Sequence, residues 1–559
     1  MKFFGRVLLT LLLLILFCLV VLYVLLQTQW GAGWLSRWVS DKTAWHLSVS
    51  KIEHNFSAPT HILLDDFSFG YDGRPAVALA KRVDLGLTLT QFSDPLHFDS
   101  IELRDGVVSL ANLRSDRDFP LQANRLQLSN IRLDSPGSSL PLQAEQVNGG
   151  LMPWKPVRNA MLGTRSQFQM SASRLTLNGV PGTNVLIQGR VDNDHLVLSN
   201  VGADLARGSL TGNAERDARG NWKISNLRLN DIRLQTSQNL SAFLQPLRDL
   251  PSVQIVRLDM TNARLQGPEW AVTDLDLTLK NITWRASTWE SEDGTLAMNA
   301  SNFINGSFEL IDPILNASFS PQGVEIQQFS SRWAEGLLRA SGSWTRTDKR
   351  LTLDELAVAG LEYTLPQNWR DRWLAPLPDW LDSVLVKKLS ANRNLIIDIN
   401  PAFPFQMTAL DGNGRNLLLA RQHQWGIWAG EASFNAAAAT FNRTDLRHPS
   451  LALQADDQQI HVTELSAFSG QGLLEGTASL GQQPDRSLTL MLKGQAVPVN
   501  ILQNWGWPAL PLNGASNLQL QMQAALPAAA PLRPTVNGTL EVITDSQSLQ
   551  QKMRAGEIE

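Results

Sequence analysis

Two hydrophobic patterns run along this chain, and they occupy different parts of it. From Val7 to Leu26 the sequence VLLTLLLLILFCLVVLYVLL carries no charge over 20 residues. At about 1.5 Å of rise per residue it spans roughly 30 Å, the thickness of a bilayer's hydrocarbon core, and predicts one membrane-spanning helix. Beyond it, apolar and polar residues alternate with period two in short segments bounded by turn formers, the pattern of half-buried strands. HILLDDFSF from His61 is such a segment. VDLGLTL from Val83 places Val83, Leu85, Leu87 and Leu89 on one side. IELRDGVVSL (Ile101 to Leu110) reads as a hairpin about Asp105-Gly106. In Arg125 to Leu133 the alternation slips by one residue, which predicts a bulge or a short turn. Asp192-Asn193-Asp194 reads as a hairpin turn. Long helical periodicity is nearly absent.

A longer period lies over the strands beyond about residue 195. GSLTGNA (from Gly208), LRASGSW (from Leu338) and GLLEGTA (from Gly472) align on Gly212, Gly342 and Gly476, 130 and 134 residues apart. Each is preceded by an apolar then Ser/Asn segment and followed by another strand. Each then meets a short proline-bearing helical insert, marked by Pro246, Pro376 and Pro508, 130 and 132 apart. Agreement in order and spacing predicts a stacked repeat of several strands plus a short helix, about 130 residues long.

The flanks of the apolar run set a topology. Lys2 and Arg6 precede it and no acidic residue does, so the positive-inside rule expects a cytoplasmic N-terminus and a large domain across the membrane. Gly31-Ala32-Gly33 would make a poor cleavage site, and the run exceeds the roughly 7–15 residues of a signal-peptide core, so an uncleaved anchor is expected. Trp30, Trp34 and Trp38 recur at helical spacing just behind it. They are candidate membrane-interface residues, or else pack the short helix on the following domain. The sole cysteine, Cys18, lies inside the run, which excludes a disulfide within the large domain. With 48 basic and 52 acidic residues in no blocks, a nucleic-acid surface is excluded as well.

Strands with one greasy and one wet face can close into a dry sandwich or curl into an apolar trough. With about 30–40 strands at about 4.8 Å each, a rod of roughly 100–200 Å is expected. By alternation alone, the candidate lining residues are Leu85, Leu87, Leu227, Leu229, Leu275, Leu277, Leu351, Leu353, Leu488 and Leu490. The expected divisions are a cytoplasmic segment (1–6), the spanning helix (7–26), a juxtamembrane helix (27–45), an N-terminal β region (46–195), repeated β-groove units (196–523), an Ala/Pro linker (524–534), and a terminal strand with a polar tail (535–559). That tail is expected to be mobile from Asp545.

No constellation for catalysis emerges. The eight histidines are scattered without ligand spacing, and no GxSxG or GxxxxGK occurs. SVSK (Ser48 to Lys51) fits SxxK without its partner motifs and sits among strands. A hydrolase has no nucleophile or metal set to stand on; no catalytic, cofactor or metal residue is expected. Trp369, Trp373, Trp380, Trp505 and Trp507 gather in the proline-bearing inserts, where they could gate a trough or fix a short helix across the sheet.

The anchor, the stretch LLQTQWGAGWLSRWVS behind it, FSAPTHILLDDFSF, SRWAEGLLRASGSW and GLEYTLPQNW together resemble the AsmA family of Gram-negative inner-membrane proteins over essentially the whole chain. The resemblance implies a periplasmic, repeating β-groove similar to bridge-like lipid transfer proteins, whose groove carries phospholipid between inner and outer membranes. It also implies a link to outer-membrane biogenesis, including assembly of outer-membrane proteins. It transfers no catalytic residue. The expected partners are the inner-membrane bilayer, phospholipid, and outer-membrane or periplasmic proteins. The rival expectation is a scaffold or regulator of outer-membrane protein assembly with a dry core and no lipid cargo.

Overall fold

The computed structural model describes residues 2–559 apart from 114–118, 136–140, 158–159, 178–179, 249–251, 286–287, 483–485 and 527–530, and leaves the side chains of 2–5 and 246–248 undescribed. The side chain of Pro246 and the middle of the expected 524–534 linker therefore lie outside the described residues. The protein is mainly β, with 65% of residues in strands and 12% in helices. It forms two compact units, residues 1–235 with 244–265 and 283–288, and residues 236–243 with 266–282 and 289–559.

The first unit opens on the helix Lys2–Leu26, whose Arg6–Leu26 part is long and apolar enough to cross a membrane and is not buried against the protein. A second helix, Gln29–Lys42, turns Leu35 and Val39 toward the first apolar cluster of the sheet and leaves its three indoles outward. Strands Trp45–Ser48 and Lys51–His54 then pair with successive stretches of His61–Tyr71. From there the strands Ala76–Gly86, His97–Ser109, Gln122–Ser135, Leu142–Met152, Arg165–Leu177, Val180–Asp192, His195–Leu205, Gly208–Arg216 and Trp222–Asn230 each pair with the next, and the last pairs with Ser252–Gln266. All these pairings are antiparallel except two, His97–Ser109 with Gln122–Ser135 and Trp222–Asn230 with Ser252–Gln266.

The second unit continues in the same manner from Trp270–Arg285 to the C-terminus. Among its described pairings, the one parallel step between strands of ten residues or more joins Arg350–Ala359 to Ser383–Asp398, with the short strand Glu362–Thr364 also parallel to the latter. The three parallel steps recur at a spacing like that of the glycine segments, and each carries the same local device. At Asp105/Asn130, Asp231/Asn262 and Gly360/Arg393 both neighbours adopt positive φ. In the first two pairs the Asn amide donates to the Asp carboxylate at 2.6 Å. The first of these steps lies within 46–195, where the sequence alone gave no period. The insert at Pro508 behaves differently: Ser487–Pro498 and Ala515–Ala525 on either side of it pair antiparallel.

Three local expectations are corrected. Asp105-Gly106 is no hairpin tip: His97–Ser109 runs through it as one strand in unbroken register with both neighbours, with Asp105 at φ 52°. Gly106 fits because a Cβ there would lie 2.0 Å from the Leu79 carbonyl oxygen of the neighbouring strand. The alternation through Leu89 outruns its strand, which ends at Gly86; Leu89–Phe92 is a 3-10 turn. The tail after Asp545 is part of the sheet, as Ser548–Arg554 and Glu557–Ile558. It is polar by composition, yet Met553 is buried and Gln551 accepts the Trp507 indole N–H at 3.0 Å.

Candidate functional site

Strand pairing carries side-chain parity from one strand to the next, so the residues sharing a face can be followed across each unit. In the first unit one row runs Leu64, Val83, Leu103, Leu128. Beside it runs Ile62, Leu85, Ile101, Leu126, Leu151, Phe168. The face continues through Ile187, Val201, Gly212, Leu227 and Leu258. In the second unit Leu277, Met298, Leu315, Phe329, Ala340, Leu356 and Leu389 form such a row. The opposite face is polar and carries ion pairs such as Arg82 with Asp65 at 2.9 Å and Arg104 with Glu102 at 2.7 Å. The Arg104 hydrogen bond holds the Glu102 carboxyl below the ordinary range of a glutamate.

The apolar face is only partly sealed. Between residues 165 and 230 the described buried residues of the strands are Ser166 and Val185. Between 323 and 359 they are Ser331 and three glycines, so Val324, Ile326, Phe329, Leu338, Leu351, Leu353 and Leu356 all stay half-buried, none of them sealed from solvent. A dry sandwich would bury this class of residue. The three period-marking glycines lie on this face, opposite Leu227, Leu353 and Leu492. A Cβ at Gly342 would meet the Thr352 carbonyl oxygen at 2.1 Å, so the backbones there approach closer than any side chain permits.

The lining residues expected from alternation are placed as follows. Leu85, Leu227 and Leu229 lie on the face of the first unit and are half-buried; Leu87 is half-buried just past its strand's end. In the second unit Leu277, Leu351, Leu353, Leu488 and Leu490 lie half-buried on the face, whereas Leu275 is fully buried. Leu351 and Leu353 pack against the cluster around Leu381, Val384 and Val386. Leu488 and Leu490 pack against a cluster at the C-terminal end. Trp30, Trp34 and Trp38 are all about half-exposed, at 56, 47 and 53%.

At that C-terminal end the face is concave and holds a cavity of about 560 Å³. Leu465, Leu474, Leu490, Leu492, Leu520 and Met522 form its floor, and the helix Ile501–Asn504 with Trp505 and Trp507 closes over it. Arg533 is the one charged residue among its described lining. The indoles are fixed by their N–H groups, Trp505 to the Phe441 carbonyl at 3.1 Å and Trp507 to Gln551. The other insert tryptophans act differently. Trp369 donates to Asp398 at 3.0 Å, Trp373 stacks on Trp425 at 5.8 Å between centroids, and Trp380 is exposed. Sequence reasoning missed the cavity because its walls come from strands separated by more than 100 residues. Lys51 of SVSK is bound to Glu53 at 2.5 Å, which raises its pKa, the opposite of what a general base requires.

One exposed apolar helix, long enough to span a membrane, and mainly β units with a half-buried apolar face define a membrane-anchored β protein. The chain belongs to the AsmA family. It is 52% identical over 557 residues to the AsmA family protein YicH of Escherichia coli (strain K12), covering 100% of this chain and 98% of that protein. No family model matches it.

Proposed function

We propose that this protein binds lipid acyl chains along its apolar face and takes part in phospholipid transport to, or maintenance of, the outer membrane, from an inner-membrane anchor with its β units in the periplasm. The observation that carries the reading is the half-buried apolar face, with its concave, tryptophan-capped end. Acyl methylenes lying there would leave water at about 0.8 kcal/mol each, while headgroups stay at the wet rim. The mechanism needs no covalent chemistry. The scaffold reading, in which the greasy faces form a dry core, accounts less well for Leu353 and its neighbours standing only half-buried in succession.

The test is lipid analysis of the full chain purified from membranes, beside variants with Leu277→Lys, Leu353→Lys and Leu490→Lys. Because none of these positions is fully buried, the variants are expected to fold. Phospholipid retained by the parent beyond what the anchor alone retains, and lost from the folded variants, is the expected result. Equal lipid content in parent, variants and isolated anchor overturns it and leaves the scaffold.

A further inference from the structure

Among the described residues, the most exposed large apolar side chains outside the spanning helix are Phe92 at 90%, Leu89 at 81% and Phe56 at 80%. They sit in two loops, 55–60 and 87–96, at the same end of the strands His61–Tyr71 and Ala76–Gly86. The Leu87 amide donates to the Thr60 carbonyl at 2.7 Å and ties the loops together.

These side chains are held outward by a built loop. The Thr88 amide donates to Gln91 Oε1 at 2.5 Å, and Gln91 Nε2 donates to the His97 carbonyl at 2.6 Å. The Asp94 amide closes the turn on the Thr90 carbonyl at 2.7 Å. An ordered loop that presents Leu89, Phe92 and Leu96 outward has no reason to do so in water, and clustered exposed apolar side chains mark an interaction surface.

The spanning helix indicates the partner. Tyr23, one turn before the helix ends at Leu26, donates its hydroxyl to His54 Nδ1 at 2.6 Å, leaving His54 Nε2 to donate to the Pro59 carbonyl at 2.9 Å. The Tyr23 and Phe56 rings lie 5.8 Å apart. Phe56 is thus held at the level of the last helical turn, which in a spanning helix is the boundary between hydrocarbon and headgroups. The exposed indoles of Trp30, Trp34 and Trp38 begin one turn further on.

We infer that the loops 55–60 and 87–96 are seated in the bilayer that the helix crosses, with Phe56, Leu89 and Phe92 in its interfacial layer. The first strands of the apolar face then start at the lipid surface with no aqueous gap. The inference rests on the helix spanning a membrane and is independent of whether lipid is carried.

The test uses the full chain in lipid nanodiscs, with Cys18→Ala and a single cysteine bearing an environment-sensitive fluorophore. Labels at Phe92→Cys, Leu89→Cys and Phe56→Cys are compared with Asp72→Cys, at the turn on the far end of the same hairpin. The first three are expected to emit at shorter wavelength and to lose most of their emission when the nanodisc contains lipid spin-labelled near the headgroup; the label at 72 should do neither. Emission at 89 and 92 like that at 72 overturns the inference. So does a short-wavelength emission that spin-labelled lipid leaves unquenched, since the loops would then be covered by protein.

Discussion

Replacing Leu490 by aspartate tests whether the C-terminal cavity holds an acyl chain. Leu490 lies on the cavity floor, opposite Ala478 on one neighbouring strand and Met522 on the other. A volume of about 560 Å³ has room for on the order of ten or more methylene-sized groups, enough for much of one acyl chain. At about 0.8 kcal/mol each, that chain gains on the order of 10 kcal/mol before ordering costs. A carboxylate on the floor keeps its water and removes the leucine contact; a side chain buried to about half contributes roughly 1 kcal/mol of that contact, and the unmet desolvation of an ionised group adds several more. We expect affinity for a fluorescent polyene fatty acid to fall at least about 30-fold, equivalent to about 2 kcal/mol, while unfolding stability falls by about 1 kcal/mol. Thr489→Asp, one residue away on the wet face, is the control. Equal affinity for the parent and Leu490→Asp, or an equal loss in Thr489→Asp, refutes the reasoning.

Three further perturbations probe the fold and its electrostatics. Gly342→Val places a Cβ about 2.1 Å from the Thr352 carbonyl and should cost about 3 kcal/mol in denaturant unfolding, whereas Gly202→Ala, with nothing within 4 Å, should stay within about 0.5 kcal/mol; similar midpoints for the two would disprove the close approach. Asn262→Val should cost about 2–3 kcal/mol, because a β-branched residue is poor at φ 52° and the bond to Asp231 is lost; Asn262→Gly should lose only the part due to the bond. The folded-state pKa of Glu102 is depressed, so its contribution to stability is present above the unfolded value of about 4.3 and is lost as pH falls through the folded value. Glu102→Gln should therefore lose less stability than the parent on acidification from about pH 5 to 3, and identical slopes in parallel denaturations would exclude the effect.

Strand positions and their greasy faces were legible because period-two alternation is a local property. Leu227 and Leu229 share one face of their strand, and Leu351 and Leu353 share one face of theirs. Alternation does not report where a strand stops: VDLGLTL continues the pattern past Gly86, but Gln91 caps a turn there and carries Leu89 outward. It also does not report what covers a face. Leu275 is buried and Leu277 only half-buried although they share parity, because burial depends on elements brought in from elsewhere in the chain. The cavity was hidden for the same reason. Phe441, Leu465, Trp507 and Met553 carry no common sequence signal.

A flat sheet of alternating strands would offer a surface, whereas holding a chain requires curvature, and the bulges supply a source of it. Asp66, Asp105, Asn130, Asn184, Asn262, Asp274 and Asp312 all adopt positive φ inside strands rather than between them. Asp and Asn tolerate that conformation better than other side chains bearing a Cβ. Beside Asn130, Asn184 and Asp312 the register with one neighbouring strand also shifts, and a bulge of that kind adds a residue on one strand, bends it and increases its twist. Register shifts at Leu128/Ile131 and Ile326/Phe329 show the extra residue being absorbed while parity on the apolar face is restored beyond it. The single-residue slip in the Arg125 to Leu133 alternation is this device seen in sequence, with Asn130 at its centre. An isolated Asp or Asn that interrupts an otherwise regular alternation is therefore informative in this chain. Where a register shift goes with it, as at Asn130, it marks where a strand bends while its leucines stay on one side, the condition for an apolar face to curve without being covered.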